Sequence, residues 1–266
     1  MSLASLLHLT ELRKTFTTGL ADARPALDGL TLEIAQGDFI VVIGSNGAGK
    51  STLLNAVAGT FGVDSGSIVL DGRDITRLAE HHRAGLIARV FQDPMAGTAA
   101  AMTVEENLAL AERRGKSHRL VPHLDASRRA RYRELLAALR LGMETRLATP
   151  VAQLSGGQRQ SLSLVMAVMS TPRLLLLDEH TAALDPRTAE LVMEATVAAI
   201  ATHGLTALMV THNMKQAIRY GNRLLMMDAG RIKLDIAGAQ KSALTTEELV
   251  QRFQLTDDRL LLAAGA

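Results

Sequence analysis

The chain has no cysteine, and aromatic residues make up only 3% of its 266 positions. Without cysteine it can form neither a disulfide nor a thiolate-bound zinc or iron–sulfur centre, which suits a reducing cytoplasm. No run approaches the roughly 20 apolar residues of a membrane-spanning helix. Met1-Ser2-Leu3-Ala4-Ser5-Leu6-Leu7 has no basic lead and only a short apolar stretch, so no leader segment is expected and the chain reads as soluble on its own. A formal net charge of +2 gives no argument for nucleic acid, which wants a clustered basic face. The one basic cluster, Arg128, Arg129, Arg131 and Arg133, precedes Leu135, Leu136 and Leu139 in a helix-like segment and reads as a solvated helix face. No internal repeat or low-complexity linker interrupts the chain. Its 47% hydrophobic content suffices for one large core.

What is present begins with Gly44-Ser45-Asn46-Gly47-Ala48-Gly49-Lys50-Ser51, which matches the phosphate-cradling pattern G-x-x-x-x-G-K-[ST]. It follows the apolar strand Phe39-Ile40-Val41-Val42-Ile43 and leads into a helical stretch from Thr52 to Ala58, the strand, loop and helix order that phosphate binding requires. Lys50 would neutralise the β- and γ-phosphates of a nucleotide, and the Ser51 hydroxyl would ligate Mg²⁺.

Downstream, Arg173-Leu174-Leu175-Leu176-Leu177-Asp178-Glu179 has the continuous apolar run of a parallel strand buried on both faces. Ligands of open α/β sheets bind beyond the carboxyl ends of the strands, so Asp178 is placed to reach a Mg²⁺ shell and Glu179 to polarise an attacking water. A second phosphate-facing feature precedes it, Leu154-Ser155-Gly156-Gly157-Gln158. Its two glycines strip side chains from a turn expected to open a helix running from Gln158 to roughly Ser170, with backbone N–H groups toward an anion.

With these motifs in order, the chain resembles the ATP-binding cassette family, the nucleotide-hydrolysing subunits of membrane transporters, over nearly its whole length. Gln92 in Val90-Phe91-Gln92-Asp93-Pro94, Ala183-Leu184-Asp185, and His212 after the apolar strand Ala207 to Val210 carry the resemblance further. It implies an α/β fold, a P-loop core with a small antiparallel β subdomain and an inserted helical subdomain. The core would take about residues 1–92 and 169–240, the helical subdomain about 93–168 and a C-terminal helical tail about 241–266.

The resemblance also implies roles. Gly44 to Thr52 would bind ATP. Gln92 would sense Mg²⁺ and the lytic water, and mark where integral membrane permease subunits dock beside the helical subdomain. His212 would contact the γ-phosphate, and Phe16 would lie against the adenine. Ser155, Gly156, Gly157 and Gln158 would close on the nucleotide of a second, identical copy, with Asp185 at that interface. An extracytoplasmic solute-binding protein would be an indirect partner, and the subunit would sit peripherally on the cytoplasmic face of the inner membrane. Asp178-Glu179-His180-Thr181-Ala182-Ala183-Leu184-Asp185-Pro186, with Val210-Thr211-His212-Asn213-Met214 and Gly221-Asn222-Arg223, resembles a subgroup associated with amino-acid uptake of the tryptophan or tyrosine type. The alternatives are an exporter or lipid-system ATPase, or a non-transport relative. A DNA-maintenance relative would usually carry long heptad arms or bound zinc, and a translation-associated one two cassettes.

His81, His82, His118, His123 and His203 lie in polar stretches without metal-ligand spacing and read as solvated. His180 stands where most relatives have proline, and its imidazole is expected to face outward. Met166, Met169, Met226 and Met227 read as core fillers, Thr103-Val104-Glu105-Glu106 as a capping box, and Thr246-Glu247-Glu248-Leu249 as the opening of a short helix.

Overall fold

The computed structural model describes residues 5–16, 25–116, 125–139 and 142–252. They form two compact units, one built from the chain up to Ala79 and from Leu208 onward, the other from Glu80–Ala207.

The first unit opens with β1 (Ser5–Thr15), β2 (Pro25–Ala35), β3 (Phe39–Gly44), α1 (Lys50–Ala58), β4 (Ser65–Leu70) and β5 (Arg73–Asp74). β1, β2, β4 and β5 make an antiparallel sheet in the order β2-β1-β4-β5. In β2 the buried positions include Leu30, Leu32 and Ile34, with exposed Thr31 and Glu33 between them, the period-two pattern of a strand with one wet face. β3 is different: all six of its residues are buried, as a strand covered on both faces must be.

The second unit carries α2 (Glu80–Arg83), β6 (Ile87–Val90), α3 (Val104–Glu112), α4 (Ala126–Ala137), α5 (Gly156–Val168), β7 (Leu174–Asp178) and α6 (Pro186–His203). β6 and β7 pair in parallel, Ile87 opposite Leu174 and Val90 opposite Leu177. The four leucines of β7 are fully buried, each worth about 1.5–3 kcal/mol of transfer free energy. Among the helices, Val104 and Leu108 of α3, Tyr132 and Leu136 of α4, and Leu162 and Met166 of α5 share one apolar core, with Met169 packed against it. These methionines fill space, as do the buried Met226 and Met227. Thr103 caps α3 with the expected box: Glu106 N–H donates to the Thr103 hydroxyl and Thr103 N–H to the Glu106 carboxylate.

The basic face of α4 is only partly a solvated one. Arg129 forks onto Glu105 at 2.7 and 3.1 Å, Arg131 meets Glu112 at 2.7 Å, and Arg128 meets Asp125 and Glu112. All but the Arg128–Asp125 pair, which closes the start of α4, lie between α3 and α4, so the charges join the helices as well as facing water.

β8 (Thr206–Val210) crosses the boundary between the units, and the first unit closes with α7 (Met214–Arg219), β9 (Arg223–Asp228), β10 (Arg231–Ala237) and α8 (Gly238–Ser242). β9 runs parallel to β3, with β10 antiparallel along its other edge. Lys241 of α8 is buried and donates to the carbonyls of Ile218, Tyr220 and Gly221 at 2.6–3.0 Å, which satisfies the C-terminal acceptors of α7. A further helical turn starts at residue 246, where Thr245 and Glu248 bond reciprocally. The remainder of the expected tail, like His118 and His123, lies outside the described residues. Among the described residues no helix is long and apolar enough to cross a membrane.

Candidate functional site

In the first unit the phosphate loop leaves the end of β3 through Gly47 and Gly49, both in the left-handed region at φ +83° and +97°, where a side chain is strained. At Gly49 a β-carbon would also run into the carbonyl oxygen of Ala26. Gly49 caps α1 without any side-chain hydrogen bond, and a helix N-terminus favours an anion. Lys50 is 7% exposed and donates to the carbonyls of Gly44 at 2.7 Å and Ser45 at 2.9 Å. Its ammonium is therefore held beneath the loop, while Ser51 is exposed and Thr52 half-buried beside it. Helix α1 begins at Lys50, two residues before the position expected.

Two more expected residues belong to this unit. His212 is exposed at the bend after β8, fixed from both sides: Thr211 N–H donates to Val42 O at 3.1 Å, and Asn213 caps α7 by accepting from Gln216 N–H. Phe16 is 45% exposed and meets Phe61 edge to face, ring centroids 5.2 Å apart, with the Lys14 ammonium 5.5 Å from each ring. It stands one residue past the end of β1. Phe61, absent from the sequence reading, gives it a stacking partner.

The second unit holds the acidic pair and the serine-glycine motif. Asp178 ends β7 and is met by Arg89 of β6, Nη2 to Oδ2 at 2.5 Å. Glu179 has φ +44°, a left-handed conformation that costs a non-glycine residue energy and concentrates at functional positions. Gln92 is exposed in the loop after β6, and the buried Gln160 of α5 steadies that loop by donating to Phe91 O at 3.0 Å.

His180 corrects an expectation. It is 2% exposed, turned inward, with Nε2 3.1 Å from the Thr196 hydroxyl of α6. The Thr196 hydroxyl donates to Val192 O at 2.8 Å, so it accepts from the imidazole and Nε2 carries the proton. Burial pushes this histidine down to about 4. The outward reading failed because α6, from residue 186 on, folds a polar acceptor back over a position that looked like a solvent turn. His81, His82 and His203 are exposed as expected.

The serine-glycine motif also differs in detail. α5 starts at Gly156, not Gln158, and neither glycine has positive φ. Smallness serves packing at Gly157, where a β-carbon would collide with the Thr188 methyl of α6, whereas one on Gly156 would meet Leu184 at an ordinary contact distance of 3.5 Å. Ser155 is the N-cap, accepting from Gln158 N–H at 3.3 Å, while its own N–H donates to the Gln158 side chain at 3.1 Å. Asp185 caps α6 and is exposed. The hydroxyl and N–H of Thr188 hold its carboxyl below the usual carboxylate range.

A nucleotide-binding P-loop ATPase is the class that this fold and these motifs define. The model of the ABC transporter family matches residues 27–182. The tyrosine transport ATP-binding protein of Clostridioides difficile is 44% identical over 249 residues, 94% of this chain and 99% of that protein. The methionine import ATP-binding protein MetN of Rhizobium johnstonii is 37% identical over 85% of this chain, which spans only 59% of its length. Among solved structures, the dimeric cassette MJ0796 bound to ADP and Pi aligns with TM-score 0.74 and 27% identity, covering 87% of this chain and 98% of that one. The ADP form of the cassette MJ1267 aligns with TM-score 0.76 and 25% identity, covering 95% and 99%. The chain belongs to the ATP-binding cassette transporter family, as an ATPase subunit whose hydrolysis is coupled to transport.

Proposed function

We propose that the chain powers a bacterial importer of amino acids or similar small solutes, working as a peripheral subunit on the cytoplasmic face of the inner membrane. The observation that carries this reading is the 44% identity to a tyrosine transport ATP-binding protein that runs over 99% of that protein's length. Two copies would embrace nucleotide head to tail, permease subunits would dock near Gln92 and the helical subdomain, and an extracytoplasmic solute-binding protein would supply cargo. The division into a core of about 1–92 and 169–240, a helical subdomain of about 93–168 and a tail of about 241–266 belongs to the same reading.

Each proposed role follows from chemistry. Lys50 offsets the charge of the β- and γ-phosphates, and the backbone from Gly44 to Thr52 wraps them. Phe16 stacks on the adenine, and His212 donates to the γ-phosphate. Glu179 takes a proton from the attacking water. Gln92 orients that water, and Ser155, Gly156, Gly157 and Gln158 of the second copy close over the γ-phosphate, with Asp185 at the joint. The proposed metal donors are the Ser51 hydroxyl, the Asp178 carboxylate and the Gln92 amide oxygen. Among the described residues no group of three or more His, Cys, Asp or Glu could cage a metal. An all-oxygen set with one carboxylate fits Mg²⁺, which keeps waters and leans on substrate phosphates. The cation would neutralise developing phosphate charge.

Glu179→Gln tests the chemistry. It should retain ATP binding and lose steady-state phosphate release by about a hundredfold to ten-thousandfold; release near the wild-type rate would remove Glu179 as the base. Copurification with the membrane subunit and its solute-binding protein, followed by a ligand screen on the latter, tests the cargo. A binding protein that takes neither an amino acid nor a similar small solute would refute the assignment.

A further inference from the structure

The ion pair at the end of β7 has no place in the roles above. Arg89 and Leu176 are register partners in the parallel β6–β7 pair, so the Arg89 side chain leaves its strand two residues short of the carboxylate it reaches. Its Nη2 lies 2.5 Å from Asp178 Oδ2, with the side chains only 12% and 13% exposed. The guanidinium carbon stands 4.7 Å from the centroid of the Phe91 ring, which holds the cation from a second side. Phe91 is in turn tied to α5, because its carbonyl accepts from Gln160. The cation is therefore placed on the carboxylate by its strand, by an aromatic face and by a buried amide. A carboxylate oxygen engaged by a shielded guanidinium is poorly available to a second cation, and the two positive charges repel at this range.

We propose that Arg89 is a positioning residue that sets the metal affinity of the site, holding Asp178 through Oδ2 before nucleotide arrives and yielding it only when Mg²⁺ and phosphate come together. The inference rests on reading Asp178 as a metal ligand. It makes nucleotide-free protein reluctant to take up divalent cations, and it makes metal loading conditional on the nucleotide that brings compensating negative charge.

The test measures affinity for a fluorescent ATP analogue, once with Mg²⁺ and once with EDTA, and takes the ratio as the metal-dependent gain. Arg89→Met and Arg89→Gln remove the charge and should enlarge the gain about tenfold, the scale on which outer-shell partners move metal affinity. EDTA affinity should stay where it was. Arg89→Lys keeps a cation and should return the gain close to wild type, a rescue that a packing role would not produce. Asp178→Asn is the control for the underlying reading and should abolish the gain. If Asp178→Asn abolishes it while both neutral Arg89 variants leave it unchanged or smaller, the role of Arg89 is refuted and that of Asp178 stands. If Asp178→Asn keeps the gain, the metal reading of Asp178 fails and the proposal falls with it.

Discussion

His180→Gln should make the fold less sensitive to acid. In the native chain the imidazole is 2% exposed and donates from Nε2 to Thr196, and burial holds it neutral down to about pH 4, against an ordinary value of 6.5. Between those values the unfolded chain takes up a proton that the folded chain refuses. The stabilisation from keeping this ring neutral is therefore complete above pH 6.5 and is lost as pH falls toward 4. The gap between 6.5 and about 4 is worth about 3 kcal/mol, at 1.36 kcal/mol for each pH unit. Glutamine can donate to the same hydroxyl yet never charges. At neutral pH the variant should melt within a few degrees of wild type. Near pH 4.5, where about 2.5 kcal/mol of that stabilisation is gone, the wild type should have lost about 5–10 °C more than the variant, taking about 2–4 °C per kcal/mol for a chain of this size. Melting both proteins without nucleotide, by circular dichroism across this range, isolates the histidine from the carboxylates common to both. Parallel loss of stability in the two would show that His180 is not the buried neutral ring described.

Three further outcomes follow from the site. Phe16→Ala should weaken nucleotide binding by about 2- to 10-fold, the worth of one aromatic contact at 0.5–1.5 kcal/mol; unchanged affinity in a fluorescence titration would remove Phe16 from the adenine. In a Glu179→Gln background, Mg²⁺-ATP should drive monomer to dimer by light scattering, and adding Ser155→Arg should block it while monomer affinity for nucleotide holds. A dimer that still forms in the double variant, with Ser155→Arg alone hydrolysing ATP at the wild-type rate, would end the head-to-tail reading. His212→Ala should slow phosphate release far more than it weakens ATP binding, and an unchanged rate at saturating ATP would leave the residue a purely structural part of the bend after β8.

Much of the local structure around the candidate site was legible because its signals are local. The phosphate loop, the Asp178-Glu179 step and the Thr103 capping box each pack their meaning into a few consecutive residues, and β3 and β7 announced their burial by unbroken apolar runs. The misses share a cause, which is distance along the chain. Arg89 reaches Asp178 across 89 residues, His180 finds its acceptor 16 residues on in α6, and Phe61 meets Phe16 only once the two loops lie side by side. Gly156 and Gly157 misled in a subtler way. Glycine after serine reads as a turn, yet the pair opens α5, and only the Thr188 side chain of a later segment reveals that Gly157 is small for the sake of contact.

The hydroxyl at position 155 has a consequence for which residues can stand there. As a helix start, serine, aspartate and asparagine are nearly interchangeable, since each offers an oxygen to an N–H of the first turn. Ser155 uses an acceptor lone pair for that purpose, accepting from Gln158, and a hydroxyl keeps one proton to donate elsewhere. Aspartate would cap α5 just as well, yet it would meet an approaching phosphate with a like charge and nothing to give. Under the role proposed for Ser155, two demands fall on one atom group, and their overlap is narrower than either alone: a β-hydroxyl meets both, so threonine is the conservative exchange here and aspartate is the substitution expected to keep the helix while turning the anion away.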